Sequence, residues 1–148
     1  MSRKKRILAL IDNMGSSGSQ RQLFYIVTKL NQEYTVKLIT YYNYTDDFYE
    51  KRLKAQNVDY KKIEGKNKPD QVMKVYKEVK LFAPDVVISF LYNANQIACL
   101  IKPFFPKLRL IVSDRGKAKE NPSLRDKVRI NLYRFADYLV INNLHSKA

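Results

Sequence analysis

The tightest constraint on this chain comes from three short apolar runs, residues 7–11, 86–91 and 108–112. They leave no room for solvent-facing alternation, which suits strands covered on both faces of a parallel sheet. The segments between them switch to helical spacing. Residues 19–30 place Leu23, Ile26, Val27 and Leu30 on one face, and residues 69–82 open with Pro69 and carry Val72, Val75, Tyr76, Val79 and Phe82 as a second stripe. Further helices are predicted over 46–56, capped by Thr45 or Asp46, over 94–104, stopped by Pro103 and Pro106, and over 122–136, with Leu124, Val128, Leu132 and Phe135 facing the core. Strands at 34–40, 58–63 and 138–141 complete a regular alternation. An α/β, Rossmann-like, three-layer αβα domain with a mostly parallel, doubly wound sheet accommodates that order.

A chain of 148 residues with 45% hydrophobic content is one ordinary domain, 1–148, without repeats or internal linkers. A single cysteine, Cys99, rules out an internal disulfide framework, and with one histidine, His145, it leaves no protein-built zinc site, so no metal is expected. The basic start at 3–6 resembles a signal peptide, but the apolar run behind it ends at Asp12 without a cleavage site. No apolar stretch has bilayer-spanning length. The expected location is cytoplasmic.

Ligands of a doubly wound sheet bind at the carboxyl ends of its strands. The first such loop, residues 13–21, is a tight run of small residues. Gly15 and Gly18 are free to take positive φ, Ser16, Ser17 and Ser19 suit a helix cap, and the free N–H groups of the following helix favour an anion such as phosphate. The spacing matches neither the dinucleotide fingerprint, which needs a third glycine, nor the Walker pattern, because Arg21 stands where Lys followed by Ser or Thr is required. Asn93 and Asn95 follow the fourth strand, Asp114 and Arg115 the fifth, and Asn142, Asn143, His145 and Ser146 the last. Arg115 offers a planar fork suited to a phosphate, or a salt bridge with Asp114 or Glu120.

Charge is the second strong signal. The chain has 28 basic and 14 acidic residues, a net of +14, and so calls for an anionic partner, nucleic acid or an anionic membrane surface. No aromatic-basic signature of the RNA-binding modules is present, and no nucleic acid partner is expected. Lys117, Lys119, Arg125, Lys127, Arg129 and Arg134 cluster on and before the last helix. At roughly 1 kcal/mol for each basic residue near an anionic surface, six of them could hold a peripheral protein there. Phe104 and Phe105, flanked by Lys102 and Lys107, look like a further interfacial contact.

Five elements in order resemble the N-terminal domain of GT-B glycosyltransferases, in particular the large retaining family four. The run 17–21 (Ser-Gly-Ser-Gln-Arg) is similar to the family's first loop, with Ser17 in place of a glycine, and 84–90 is similar to its Pro-Asp-Val strand. Asn93-Ala94-Asn95 occupies the loop after it, 112–116 with Asn121-Pro122 resembles an element of enzymes that extend lipid-linked oligosaccharides, and 136–142 with Ser146 resembles the last strand of the first domain. A histidine that many members carry after the fourth strand is absent at 92–95. The resemblance spans the whole chain and implies one half of a GT-B architecture, with the C-terminal nucleotide-sugar-binding domain absent. By the same resemblance, Gly15, Gly18 and Ser19 face the donor diphosphate and Arg21, Asn93, Asn95 and Arg115 bind the acceptor. The basic residues Lys117, Lys119, Arg125, Lys127 and Arg129 face a membrane. The implied activity of the longer protein is retaining transfer of a sugar from a nucleotide-sugar donor to a saccharide or polyprenyl-phosphate-linked acceptor, at the inner face of the membrane, without a cofactor. The fragment alone is expected to be inactive, and a non-enzymatic membrane adaptor of a split glycosyltransferase is the alternative.

Overall fold

A computed structural model describes residues 3–42, 47–115 and 120–141. Six strands form one sheet: β1 (Arg6–Ile11), β2 (Thr35–Thr40), β3 (Asp59–Lys62), β4 (Val86–Phe90), β5 (Arg109–Asp114) and β6 (Tyr138–Ile141). All pairings are parallel, in the order β3-β2-β1-β4-β5-β6. Five helices connect them: α1 (Gly18–Leu30), α2 (Glu50–Ala55), α3 (Lys68–Phe82), α4 (Tyr92–Ile101) and α5 (Leu124–Leu132). The strand order reverses between β1 and β4, and the crevice at their carboxyl ends is the place where such sheets bind ligands.

Burial on both faces explains the apolar strands. Leu8 and Leu10 of β1 point into one core layer with Ile39, Val75, Val79, Ile97 and Leu110, while Ile7, Ala9 and Ile11 point into the other with Leu23, Val27, Leu38 and Leu53. The helical stripes of α1 and α3 pack as their spacing requires. At the α3 start Asn67 accepts the Asp70 backbone N–H with Pro69 in the first turn, and Ala83 ends the helix in the left-handed region at φ 50°.

Two expectations change. The second helix is shorter than 46–56, beginning at Glu50, and its expected caps Thr45 and Asp46 lie outside the described residues. The last helix turns the opposite way to its apolar stripe. Leu124 is 79% exposed, and Val128 and Phe135 are exposed with it, leaving Leu132 packed inward. What α5 presents inward is charge: Ser123 and Asp126 form a reciprocal capping box, and Arg129 lies 3.8 Å from both Asp126 and Asp114. An ion cluster anchored on β5 has overridden hydrophobic periodicity.

Candidate functional site

The crevice begins with the loop after β1. Asn13 is committed to shaping it, its side-chain oxygen accepting Gly15 N–H at 3.0 Å and the Gln20 amide at 3.2 Å. Gln20 also receives the Ser17 hydroxyl, so Ser17 occupies the cap position without capping the backbone. None of the described glycines takes positive φ, contrary to the expectation for Gly15 and Gly18. At Gly18 an added Cβ would meet nothing within 4 Å, so packing does not require a glycine at the start of α1. Ser19 is half-buried and Arg21 exposed in the same first turn.

The other wall is the start of α4, and its entry is strained. Leu91, the N-cap, has φ 75° and ψ 157°, a conformation that only glycine adopts comfortably. The turn brings Asn93 and the Ala94 backbone N–H to the Asp12 carboxyl group after β1, where both favour its ionised form. Tyr41, at the end of β2, donates its hydroxyl to the same carboxyl group. Tyr41 lies just beyond β2 and is buried. Burial raises the Asp12 pKa above the ordinary carboxylate value, and the hydrogen bonds from Tyr41, Ala94 and Asn93 only partly oppose it. Desolvation and the neighbouring Asp12 charge push Tyr41 far above the ordinary phenol range, so it stays a donor.

A ridge of donors runs along the rim. Lys68 at the start of α3 donates to the side-chain oxygen of Gln96, whose amide donates to the Tyr92 hydroxyl at 2.7 Å. Arg125 of α5 donates to the same hydroxyl at 3.2 Å, with its guanidinium 4.8 Å above the Tyr92 ring. A hydroxyl that accepts twice has its own proton free to donate outward. Among the described residues neither Lys68 nor Arg125 makes an ion pair with a carboxylate, which leaves both charges available to an anion.

Asn93 therefore lies in the crevice, whereas Asn95 does not. Asn95 is fully buried, accepting from Ser89 Oγ at 2.6 Å and donating to the Ser113 carbonyl at 2.9 Å, so it ties α4 to β4 and β5 instead of presenting a group to an acceptor. Arg115 donates through Nε to Ser113 Oγ at 2.9 Å and stacks 4.8 Å over Phe90, and burial lowers its pKa. Among the described residues its contacts are thus with Ser113 and Phe90, rather than an ion pair with Asp114 or Glu120. Of the basic residues assigned to a membrane face, Arg125 and Lys127 are exposed. Arg129 is not: its side chain is 17% exposed, turned in between Asp114 and Asp126. Lys117 and Lys119, with Asn142, Asn143, His145 and Ser146, lie outside the described residues.

Asp12, Tyr41, Lys68, Tyr92 and Gln96 were not singled out from sequence. The available signal was Asp12 itself, a carboxylate ending a buried strand. No group of three His, Cys, Asp or Glu among the described residues could hold a metal ion. Cys99 is buried, its thiol pushed up to about 12 by desolvation, and is therefore unreactive. The aromatic segment at 101–107 lies at the opposite pole. Phe104 is 68% exposed, and with Pro84, Asp85 and Leu108 it lines a cleft of about 440 Å³ at the amino ends of the strands. No helix among the described residues is long and apolar enough to cross a membrane.

No family model and no curated protein matches this sequence. Solved structures do match. Anabaena HepE in complex with UDP-glucose superposes with a TM-score of 0.74 at 18% identity, over 95% of this chain and 38% of that one. A putative UDP-N-acetylglucosamine 2-epimerase from Listeria monocytogenes gives 0.70 at 12% identity, over 99% and 41%. Acinetobacter baumannii MurG gives 0.67 at 11%, over 97% and 42%. The likeness establishes the fold: a Rossmann-like domain similar to one part of each of these structures. The chain spans about two fifths of the length of the structures it matches.

Proposed function

We propose that this chain is the acceptor-binding half of a glycosyltransferase that moves a sugar from a nucleotide-sugar donor to a saccharide acceptor. The observation that carries the reading is the crevice between β1 and β4, where α1 follows the loop after β1 and a rim offers Asp12, Asn93, Tyr92, Lys68 and Arg125. A helix N-terminus complements a diphosphate, and a rim of hydroxyl, amide and cationic donors complements a phosphorylated saccharide. Transfer from an activated donor needs the leaving diphosphate stabilised and the two substrates held face to face, which a two-domain cleft provides without a resident metal or cofactor. In this reading the donor nucleotide is held mainly by a second Rossmann-like domain, for which a match over about two fifths of longer structures leaves room. The retained anomeric configuration, the polyprenyl-phosphate-linked acceptor and a place in bacterial polysaccharide, capsule or glycolipid assembly belong to the same proposal, drawn from the motif resemblance. So does peripheral attachment to the inner face of the membrane, for which exposed Arg125 and Lys127 would supply charge.

The adaptor reading draws on a different observation, the outward apolar face of α5 and β6, which suits a partner chain. One experiment separates the two. A longer protein containing this domain is incubated with a panel of nucleotide sugars and lipid extracts, and sugar transfer to the lipid fraction is followed. Transfer is expected, with none from the 148-residue chain alone. Failure with every donor would refute the enzyme reading.

A further inference from the structure

Within the crevice, Asp12 has a feature that a purely structural residue would lack. Its carboxyl group accepts the Tyr41 hydroxyl, and the nearby Ala94 backbone N–H and Asn93 side chain favour its ionised form while burial opposes it. An asparagine would satisfy the Tyr41 hydroxyl through its amide oxygen and avoid desolvating a charge. The chain instead retains a carboxyl group where burial disfavours its ionised form, at the sheet's reversal point and beside the strained Leu91. Unfavourable groups that the surrounding structure holds in place cluster where ligands are handled.

The surroundings define what this group can receive. Tyr41 closes it off on the β2 side, and Asn93 and Ala94 close it off on the α4 side. Asn13 and Gln20 of the first loop are bonded to one another. Lys68 of α3 is the cation that acts on it across the crevice, and Tyr41 is the other titratable group in contact. Asp12 is half-buried and follows β1 directly, at the carboxyl end of the sheet. Among the described residues no group of His, Cys, Asp or Glu around it could hold a metal ion, and the neighbouring Lys68 and Arg125 would draw anionic groups to the rim rather than to Asp12. The complement of an ionised oxygen so placed is a neutral donor, a sugar hydroxyl, with any phosphate of the same molecule at the cationic rim.

We propose that Asp12 accepts a hydrogen bond from an acceptor hydroxyl and fixes the saccharide in the crevice, with Tyr41 as the residue that positions the carboxyl group. This rests on the acceptor-binding reading of the domain. Asp12 must be ionised to accept that bond on either oxygen, so acceptor affinity falls as pH drops through its raised pKa, above the range where ordinary aspartates titrate.

Two measurements test it. In the 148-residue chain, the carboxyl carbon resonance of Asp12 is followed by NMR across pH and during titration with water-soluble hexose glycosides and hexose phosphates. A midpoint above the ordinary aspartate value and a shift with at least one sugar are expected; no shift with any of them overturns the proposal, whatever the longer protein does. In the longer protein, Asp12→Asn should raise the acceptor KM about tenfold and the donor KM less than twofold. Asp12→Glu and Tyr41→Phe should fall between wild type and Asp12→Asn. Equal changes in both KM values, or an unchanged acceptor KM in a folded Asp12→Asn protein that still turns over, would remove Asp12 from the acceptor site. Wild-type protein inactive with every donor would count against the transferase reading alone, because the NMR titration is independent of the donor.

Discussion

The two poles of the sheet are built from similar parts and used in opposite ways. At the amino-end pole, Asp85 accepts the Arg6 backbone N–H at 2.8 Å and a two-pronged contact from Arg3 at 2.8 and 3.1 Å, and its carbonyl accepts Arg109 N–H. Arg6 in turn donates to the Phe82 carbonyl, and Asp137 accepts Leu110 N–H at 2.7 Å. These bonds pin the starts of β1, β4 and β5 to one another. At the carboxyl-end pole the carboxyl group is desolvated, the helix entry is strained, and Lys68 and Arg125 form no ion pair among the described residues. One pole spends its polar groups on the fold, and the other leaves them for a ligand. Carboxylates that end buried strands are therefore not equivalent, and their environment sorts them into clamp and contact.

Breaking the clamp should have the largest effect. Asp85→Ala leaves the Arg6 N–H without its acceptor and is expected to cost about 2–3 kcal/mol, read by urea denaturation. A loss below about 0.5 kcal/mol would erase the contrast between the poles. Strain at the other pole is read by comparing two truncations of Leu91. At an ordinary position alanine is more stable than glycine; at φ 75° Leu91→Gly should exceed Leu91→Ala by about 1–2 kcal/mol, with the packing loss common to both. A smaller gain is expected at the end of α3, where Ala83→Gly at φ 50° should add about 0.5–1 kcal/mol of stability.

The finest distinction is one of sign. Asp85, its pKa lowered first by the Arg6 backbone N–H, contributes stability above the unfolded carboxylate pKa and loses it as pH falls through the lower folded value. Asp12, raised by burial, contributes below the unfolded pKa and loses that contribution as pH rises through the higher folded value. Stability profiles of Asp85→Asn and Asp12→Asn against wild type should therefore diverge in opposite directions. Parallel profiles would show that the two groups share one environment.

Much of this was legible in the chain. Strands β1, β4 and β5 announce themselves because two-sided burial leaves no polar alternation, and β6 was located at its observed bounds. Crevice contacts such as Asp12 with Tyr41, 29 residues apart, were not legible, since strand order alone brings them together. The α5 face was misread for a related reason. Its periodicity is real, but Asp114 on β5 draws Arg129 inward, and no local pattern records that attraction. Asn95 looked like a loop donor until α4, beginning at Tyr92, turned it into the interior.

Among the described residues β6 is the sheet's last strand, with Tyr138, Leu139 and Val140 exposed beside Leu124 and Val128. Such an edge is a template on which another copy can add its own strand, and the net charge of +14 is what opposes that encounter. The repulsion acts over about 8 Å at physiological ionic strength and about 3 Å at 1 M salt. Colloidal stability of this chain should accordingly decline as salt is added, the reverse of ordinary salting-in, with light scattering rising before any loss of helical signal.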